Sequence, residues 1–253
     1  MIFHLFLVHY RPQMTTEDPK PFVAPCRDLA ISSPFKWLKS GWQDFRSAPG
    51  LSLAWGVFCW FLSTIVTLVA WRTGGWVLLL SVLSGFVFVA PLLAFGMYSV
   101  SRQLCLGNKP GLMQTLRAAR RPFANSLVFA LVLLVIFLLW ARAGTMVHIF
   151  FPSTGEVRLA DLSVYLGVGT AVGSIFATIC FMASVFSLPF IANRDADVIT
   201  AVVSSINAVL RNRKTMFLWA VTVAIFTALG FVTAMLGFIV IIPLLGYATW
   251  HGY

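Results

Sequence analysis

MFLWAVTVAIFTALGFVTAMLGFIVIIPLLGYATW, residues 216–250, contains no Asp, Glu, Lys or Arg. At about 1.5 Å per residue, one helix of that length would run about 52 Å, against a bilayer hydrocarbon core of about 30 Å. The stretch therefore predicts two short spans folded back on each other. Met235-Leu236-Gly237 is the expected turn, with Gly237 supplying the backbone freedom. A turn this apolar belongs in the membrane interface or against protein.

The rest of the chain agrees with a membrane setting. Apolar residues make up 59% and charged residues 10%, where soluble domains run nearer about 45–50% and 25%. No acidic residue occurs between Phe45 and Gly155, as expected where an ionised carboxylate is costly. Further apolar runs predict spans over 51–71, 76–100, 123–140 and within 162–192. The last exceeds the ~20 residues a bilayer needs, and Gly167, Gly169 and Gly173 are the expected place for it to bend. The spacing of Gly169 and Gly173 also predicts close helix packing.

The net charge of +10 raises nucleic-acid binding, but the cations sit in short loops between apolar runs. Arg11, Lys20, Arg27, Lys36, Lys39 and Arg46 precede the first span. Arg102, Lys109, Arg117, Arg120 and Arg121 follow the second, and Arg194, Arg211, Arg213 and Lys214 follow the fourth. Arg72, Arg142 and Arg158 are left for the other side, a division of fifteen to three. The positive-inside rule places both termini and the longer basic loops in the cytoplasm, against anionic lipid headgroups, and leaves no role for nucleic acid.

The expected fold is an all-α, polytopic membrane protein of about six transmembrane helices in three hairpins, each preceded by a cytoplasmic amphipathic helix. The amphipathic segments are Ser33–Arg46, about Leu112–Arg121, and Ala196–Asn212. In the first, Ser33 is the expected cap, Pro34 suits the first turn, and Phe35, Leu38, Trp42 and Phe45 form the apolar face. Trp37, Lys39, Trp42 and Arg46 mark it as a helix lying in the membrane interface. Pro91, Pro189 and Pro243 stand near the cytoplasmic ends of spans and predict kinks. Together these features suggest repeats over about 33–105, 109–192 and 195–253 around a pseudo-threefold axis. Residues 33–253 form one membrane domain after a disordered tail over 1–32. The opening residues, MIFHLFLVHY, are too short to span and lack a cleavage site, so translation starting at Met14 rather than Met1 is one reading.

Four stretches carry a family likeness: PFKWLKSGWQDFRSAPGLSLAWG (34–56), APLLAFGMYSVSRQL (90–104), SLPFIANRDAD (187–197) and IIPLLGYATWHGY (241–253). With them the chain resembles an uncharacterised family of proteobacterial integral membrane proteins, domain of unknown function 2189, over about Ser33 to Tyr253. The resemblance implies a bacterial inner-membrane location and no established activity. Some members of that family carry a cytochrome c oxidase subunit label. A catalytic haem–copper subunit needs several histidines inside the membrane, whereas His4, His9, His148 and His251 all fall outside the middle of the expected spans. An accessory role remains compatible with the label.

The candidate polar cluster at the cytoplasmic ends comprises Tyr98, Arg102, Asn193, Arg194, Asp195 and His251. The plain reading is interfacial aromatics, a snorkelling Arg, and Asp195 and Asp197 capping the helix that follows. The sharper reading is a salt-bridged cluster joining Arg102 to Asp195, with His251 approaching the polar groups that follow Pro91 and Pro189. Cys26, Cys59, Cys105 and Cys180 are scattered, without metal-ligand spacing. No phosphate loop, zinc motif or nucleophile motif is present. The expectation is therefore a protein that is not an enzyme and takes no cofactor or metal. It would scaffold or assist a membrane complex, with a respiratory complex as one partner. The alternative is a small-solute transporter or channel with a cavity near the three prolines.

Overall fold

A computed structural model describes residues 24–93, 95–120, 123–150, 159–193 and 197–253. The described residues form α1 (Ser33–Ser47), α2 (Pro49–Leu93), α3 (Phe95–Cys105), α4 (Leu112–Arg120), α5 (Phe123–Phe150), α6 (Leu159–Ser184), α7 (Ser187–Asn193), α8 (Val198–Arg211), α9 (Arg213–Val232) and α10 (Phe238–Gly252). Among the described residues, four stretches are long and apolar enough to cross a membrane: Pro49–Thr73, Ala124–Met146, Ser163–Asn193 and Arg213–Val232. With the shorter apolar helices α8 and α10, the chain is an all-α, multi-pass membrane protein of about four to six such helices.

The stretch 216–250 folds back as α9 and α10, but not for the reason the glycine suggested. Met235 N–H donates to the Gly230 carbonyl at 2.9 Å and Ala234 N–H to Phe231 at 3.0 Å, a Schellman closure of α9. The left-handed residues are Ala234 and Met235, with φ of 50° and 68°. Gly237 is right-handed. Its hydrogen instead makes room, since a Cβ there would lie 2.6 Å from Thr233 Oγ1. Gly230 does the same beneath the Phe238 ring, which a Cβ would meet at 2.2 Å.

Two other boundaries differ from expectation. A turn between the first two spans, near Arg72–Gly75, is absent: α2 runs unbroken through it for 45 residues. Glycines weaken a helix by about 1 kcal/mol each but do not forbid one. Helix α2 ends at Leu93 and α3 begins at Phe95, and residue 94 between them lies outside the described residues, so the kink expected from Pro91 does too. The bend in the 162–192 region falls at Val185–Phe186, between α6 and α7, and not at Gly167, Gly169 or Gly173. Pro189 has no N–H to give the Val185 carbonyl, so the proline sets the break. A Cβ on Gly167 or Gly169 would meet nothing within 4 Å, and Gly173 approaches only Trp140 Nε1 at 4.0 Å. The small-residue spacing in α6 therefore serves no close helix contact among the described residues.

Close contact occurs instead around α10, which lies against both α1 and α2. A Cβ on Gly56 of α2 would stand 1.8 Å from the Ile239 carbonyl oxygen, and one on Gly41 of α1 would stand 2.8 Å from Ala248 N. Ile239 is the residue four before Pro243, so its carbonyl lacks the usual helical donor. Gly56 permits another backbone to close on that carbonyl.

This contact sets the rotation of α1. Its buried face is Pro34, Trp37, Gly41, Asp44 and Phe45; of the expected row, Phe45 is buried and Leu38 half-buried, but Phe35 and Trp42 are not. Phe35 is 62% exposed and Trp42 39%. Trp37, expected at the lipid interface, is 7% exposed. It meets Trp219 edge-on at 5.5 Å and Phe186 at 6.4 Å. Lys39 and Arg46 do face outward. The helix starts at Ser33, with Ser32 before it making no side-chain cap bond.

The other short helices pack comparably: α4 against α3, and α8 against α6 and α7. The tail expected to be disordered over 1–32 is partly docked. Ala24 N–H donates to Ser204 Oγ at 3.0 Å, Leu29 N–H to Asn212 Oδ1 at 2.7 Å, and Thr215 Oγ1 to the Leu29 carbonyl at 3.3 Å. Arg211 pairs with Asp28 at 2.7 Å.

Replacing Gly56 with Ala should destabilise the protein by about 1–3 kcal/mol through overpacking, read as a lower melting temperature in detergent. The same change at Gly169, which faces open space, should leave the melting temperature in place.

Candidate functional site

The most closely knit polar group sits where α1, α3 and α10 converge. Asp44, three residues past Gly41, is carried to α10 by the glycine contact. Asp44 Oδ2 accepts from Ser101 Oγ of α3 and, at 2.9 Å, from His251 Nε2 in the last turn of α10. Asp44 and His251 are mostly enclosed, with 12% and 23% of their side chains exposed. One turn earlier on α10, buried Tyr247 shares a 2.8 Å hydrogen bond with Ser52 of α2, whose hydroxyl also donates to the Ala48 carbonyl at 2.8 Å. The two sets tie α1, α2 and α3 to the closing helix.

Connectivity decides what this cluster can do. A nucleophilic serine needs its hydroxyl on the imidazole, with the acid behind it. Here the carboxylate is the hub and both other groups point at it, which is not the serine–imidazole–acid order. No group of three His, Cys, Asp or Glu side chains suited to a metal occurs among the described residues. The arrangement is a staple between the first helix and the last.

The expected cluster is only partly assembled. Tyr98, expected at the interface, is 2% exposed and stacks on Trp250 with centroids 6.4 Å apart. Trp250 meets Tyr253 at 5.9 Å, and Tyr253 meets Phe190 of α7 at 5.9 Å. Asn193 Nδ2 reaches Tyr253 Oη at 3.5 Å. The closing residues thus do bridge the segments after Pro91 and Pro189. Arg102 faces outward. Arg194 and Asp195 lie outside the described residues, and with them the Arg102–Asp195 pair. Asp197 caps α8, accepting from Thr200 N–H at 2.9 Å. That bond holds its carboxyl below the usual range.

Sequence reasoning missed Asp44. Its signal was available: it is the one acidic residue of α1 and stands on the turn-by-turn row of Trp37 and Gly41.

Residues 78–193, a little under half of the chain, match the model of a family described as a predicted integral membrane protein (DUF2189). No curated protein and no solved structure matches the chain. Asp44, Tyr247 and His251 fall outside the matched stretch.

Asp44→Ala should cost about 2–3 kcal/mol by leaving Ser101 and His251 without their acceptor, measured by thermal unfolding in detergent. The docked tail has its own pH dependence. The Arg211 hydrogen bond and then its charge hold Asp28 below its ordinary value. A depressed carboxylate contributes fully above its unfolded pKa of about 3.9 and is lost as pH falls through the lower folded value. Hydrogen exchange at the Leu29 amide should therefore be unchanged between neutral pH and mild acid, after correction for intrinsic rates, and accelerate only below about pH 4.

Proposed function

We propose that this chain is a non-catalytic membrane protein that scaffolds or assists a larger membrane complex. The observation that carries this reading is the filled meeting point of the segments following the three prolines. A solute pathway on a threefold axis calls for a cavity there. Tyr98 of α3, Leu188, Phe190 and Ile191 of α7, Trp250 of α10 and Tyr253 just after it pack into one apolar cluster instead. Around Pro243, Ile242 and Leu244 are also buried. The staple geometry, in which the serine lies on the carboxylate and not on the imidazole, favours a structural over an enzymatic role.

The packing order supports a triplicated chain. Each short helix rests on the proline-ended segment of the preceding unit: α4 on α3, α8 on α6 and α7, and α1, closing the ring, on α10. Three units arranged head to tail about one axis give this cyclic order. The charge division favours the bacterial inner membrane with both termini cytoplasmic and the basic loops against anionic headgroups. The family resemblance makes a respiratory complex the first partner to seek.

Purification with native lipid should bring down a stoichiometric membrane partner. A solitary protein that passes a small solute across reconstituted vesicles would instead make it a transporter. For orientation, exposed Cys105 should react with an impermeant maleimide in inside-out vesicles and resist it in intact cells.

A further inference from the structure

Turning Trp37, Gly41 and Asp44 inward leaves α1 with a second face that no part of the described chain covers. Phe35 and Trp42 are exposed there, beside exposed Lys36, Lys39 and Arg46. The Arg46 guanidinium lies over the Trp42 ring at 5.2 Å, and Trp42 stacks on Phe45 at 5.4 Å. A cation is thus held against an outward-facing aromatic. Where Trp37 meets Met216 and Trp219, the start of α9 adds exposed Arg213, Lys214 and Phe217.

We propose that this face, Phe35, Lys36, Lys39, Trp42 and Arg46 with the start of α9, is a binding surface for anionic phospholipid. Charge is the first argument. The three carboxylates whose side chains are described are all engaged: Asp28 by Arg211, Asp44 by His251 and Ser101, and Asp197 by the α8 N-terminus. Lys36, Lys39, Arg46, Arg213 and Lys214 have no carboxylate partner among the described residues, so no described side chain supplies their counter-charge. Continuity is the second. Ala48 alone separates α1 from α2, and α2 continues at once with exposed Leu53, Val57, Phe58 and Phe61. The cations therefore stand at the end of a lipid-facing apolar surface, the depth of headgroup phosphates. Interleaved Phe and Trp suit that depth and would be poorly placed against a soluble acidic peptide. The inference needs the chain to be a membrane protein but does not depend on the scaffold reading.

The test uses the full chain in phosphatidylcholine bilayers with spin-labelled phosphatidylglycerol or phosphatidylcholine, comparing the motionally restricted fraction of each. The wild type should favour phosphatidylglycerol by about threefold or more. Lys36→Gln/Lys39→Gln/Arg46→Gln should bring the ratio close to one. The charge-keeping Lys36→Arg/Lys39→Arg, and Arg142→Gln at the other end of the bundle, should retain it. A wild-type ratio of one overturns the proposal whatever the variants do. So does a triple variant that keeps the wild-type ratio. Polyglutamate binding lost in the triple variant, with no lipid preference in the wild type, would assign the face to an acidic protein partner instead. None of these failures bears on the filled centre of the bundle, which solute flux tests separately.

Discussion

The arrangement depends on how closely α10 approaches α1 and α2. Pro243 removes the donor that would meet the Ile239 carbonyl, and Gly56 is the neighbour small enough to close on it. Gly41 does the same beside Leu244 and Ala248. Hydrophobic burial does not drive helices together inside a bilayer, because lipid is as apolar as leucine. Close backbone packing and polar contacts do. Once these glycines set the approach, Asp44 reaches His251, Tyr247 reaches Ser52, and the Trp37 ring covers Gly252 at the end of the last helix. The first helix and the last become one unit, and the remaining helices assemble beside it.

Polar groups in this apolar chain are used sparingly and in pairs. Asp44 has two donors and Asp197 has a helix terminus. Asp28 has Arg211, outside the membrane, where salt screens the pair. A buried pair of the Asp44 kind adds little net stability against an apolar replacement, yet breaking it on one side is costly. Its effect is to penalise any arrangement in which α1 is rotated or shifted along α10. The filled cluster of Tyr98, Phe190, Trp250 and Tyr253 closes the same end by packing.

Features set by length and lipid were legible in the sequence. The run 216–250 folds back as its length against the bilayer core suggested, although α2 runs 45 residues unbroken against the same expectation. The existence of α1, α4 and α8 was visible in their periodicity. The rotation of α1 was not, because hydrophobicity cannot distinguish a face turned to lipid from one turned to protein. Phe35 and Trp42 carry far more apolar surface than Gly41 and Asp44, yet the glycine and the acid face inward. The same blindness misplaced the turn residue, since Ala234 takes the left-handed position that Gly237 was expected to supply. It also credited Gly169 and Gly173 with a contact made by Gly41 and Gly56. Of the candidate site, His251, Tyr98 and Asn193 were legible as a group near the prolines. Asp44, the partner of His251 and far from it in the chain, was not.

The most direct test is a double-mutant cycle on Asp44→Asn and His251→Gln, measured by unfolding in detergent. If the staple joins the first helix to the last, the two changes should be coupled by about 0.5–3 kcal/mol, as for residues in contact. Effects that add to within about 0.3 kcal/mol, as for independent sites, would contradict the contact and the packing of α1 on α10 built around it.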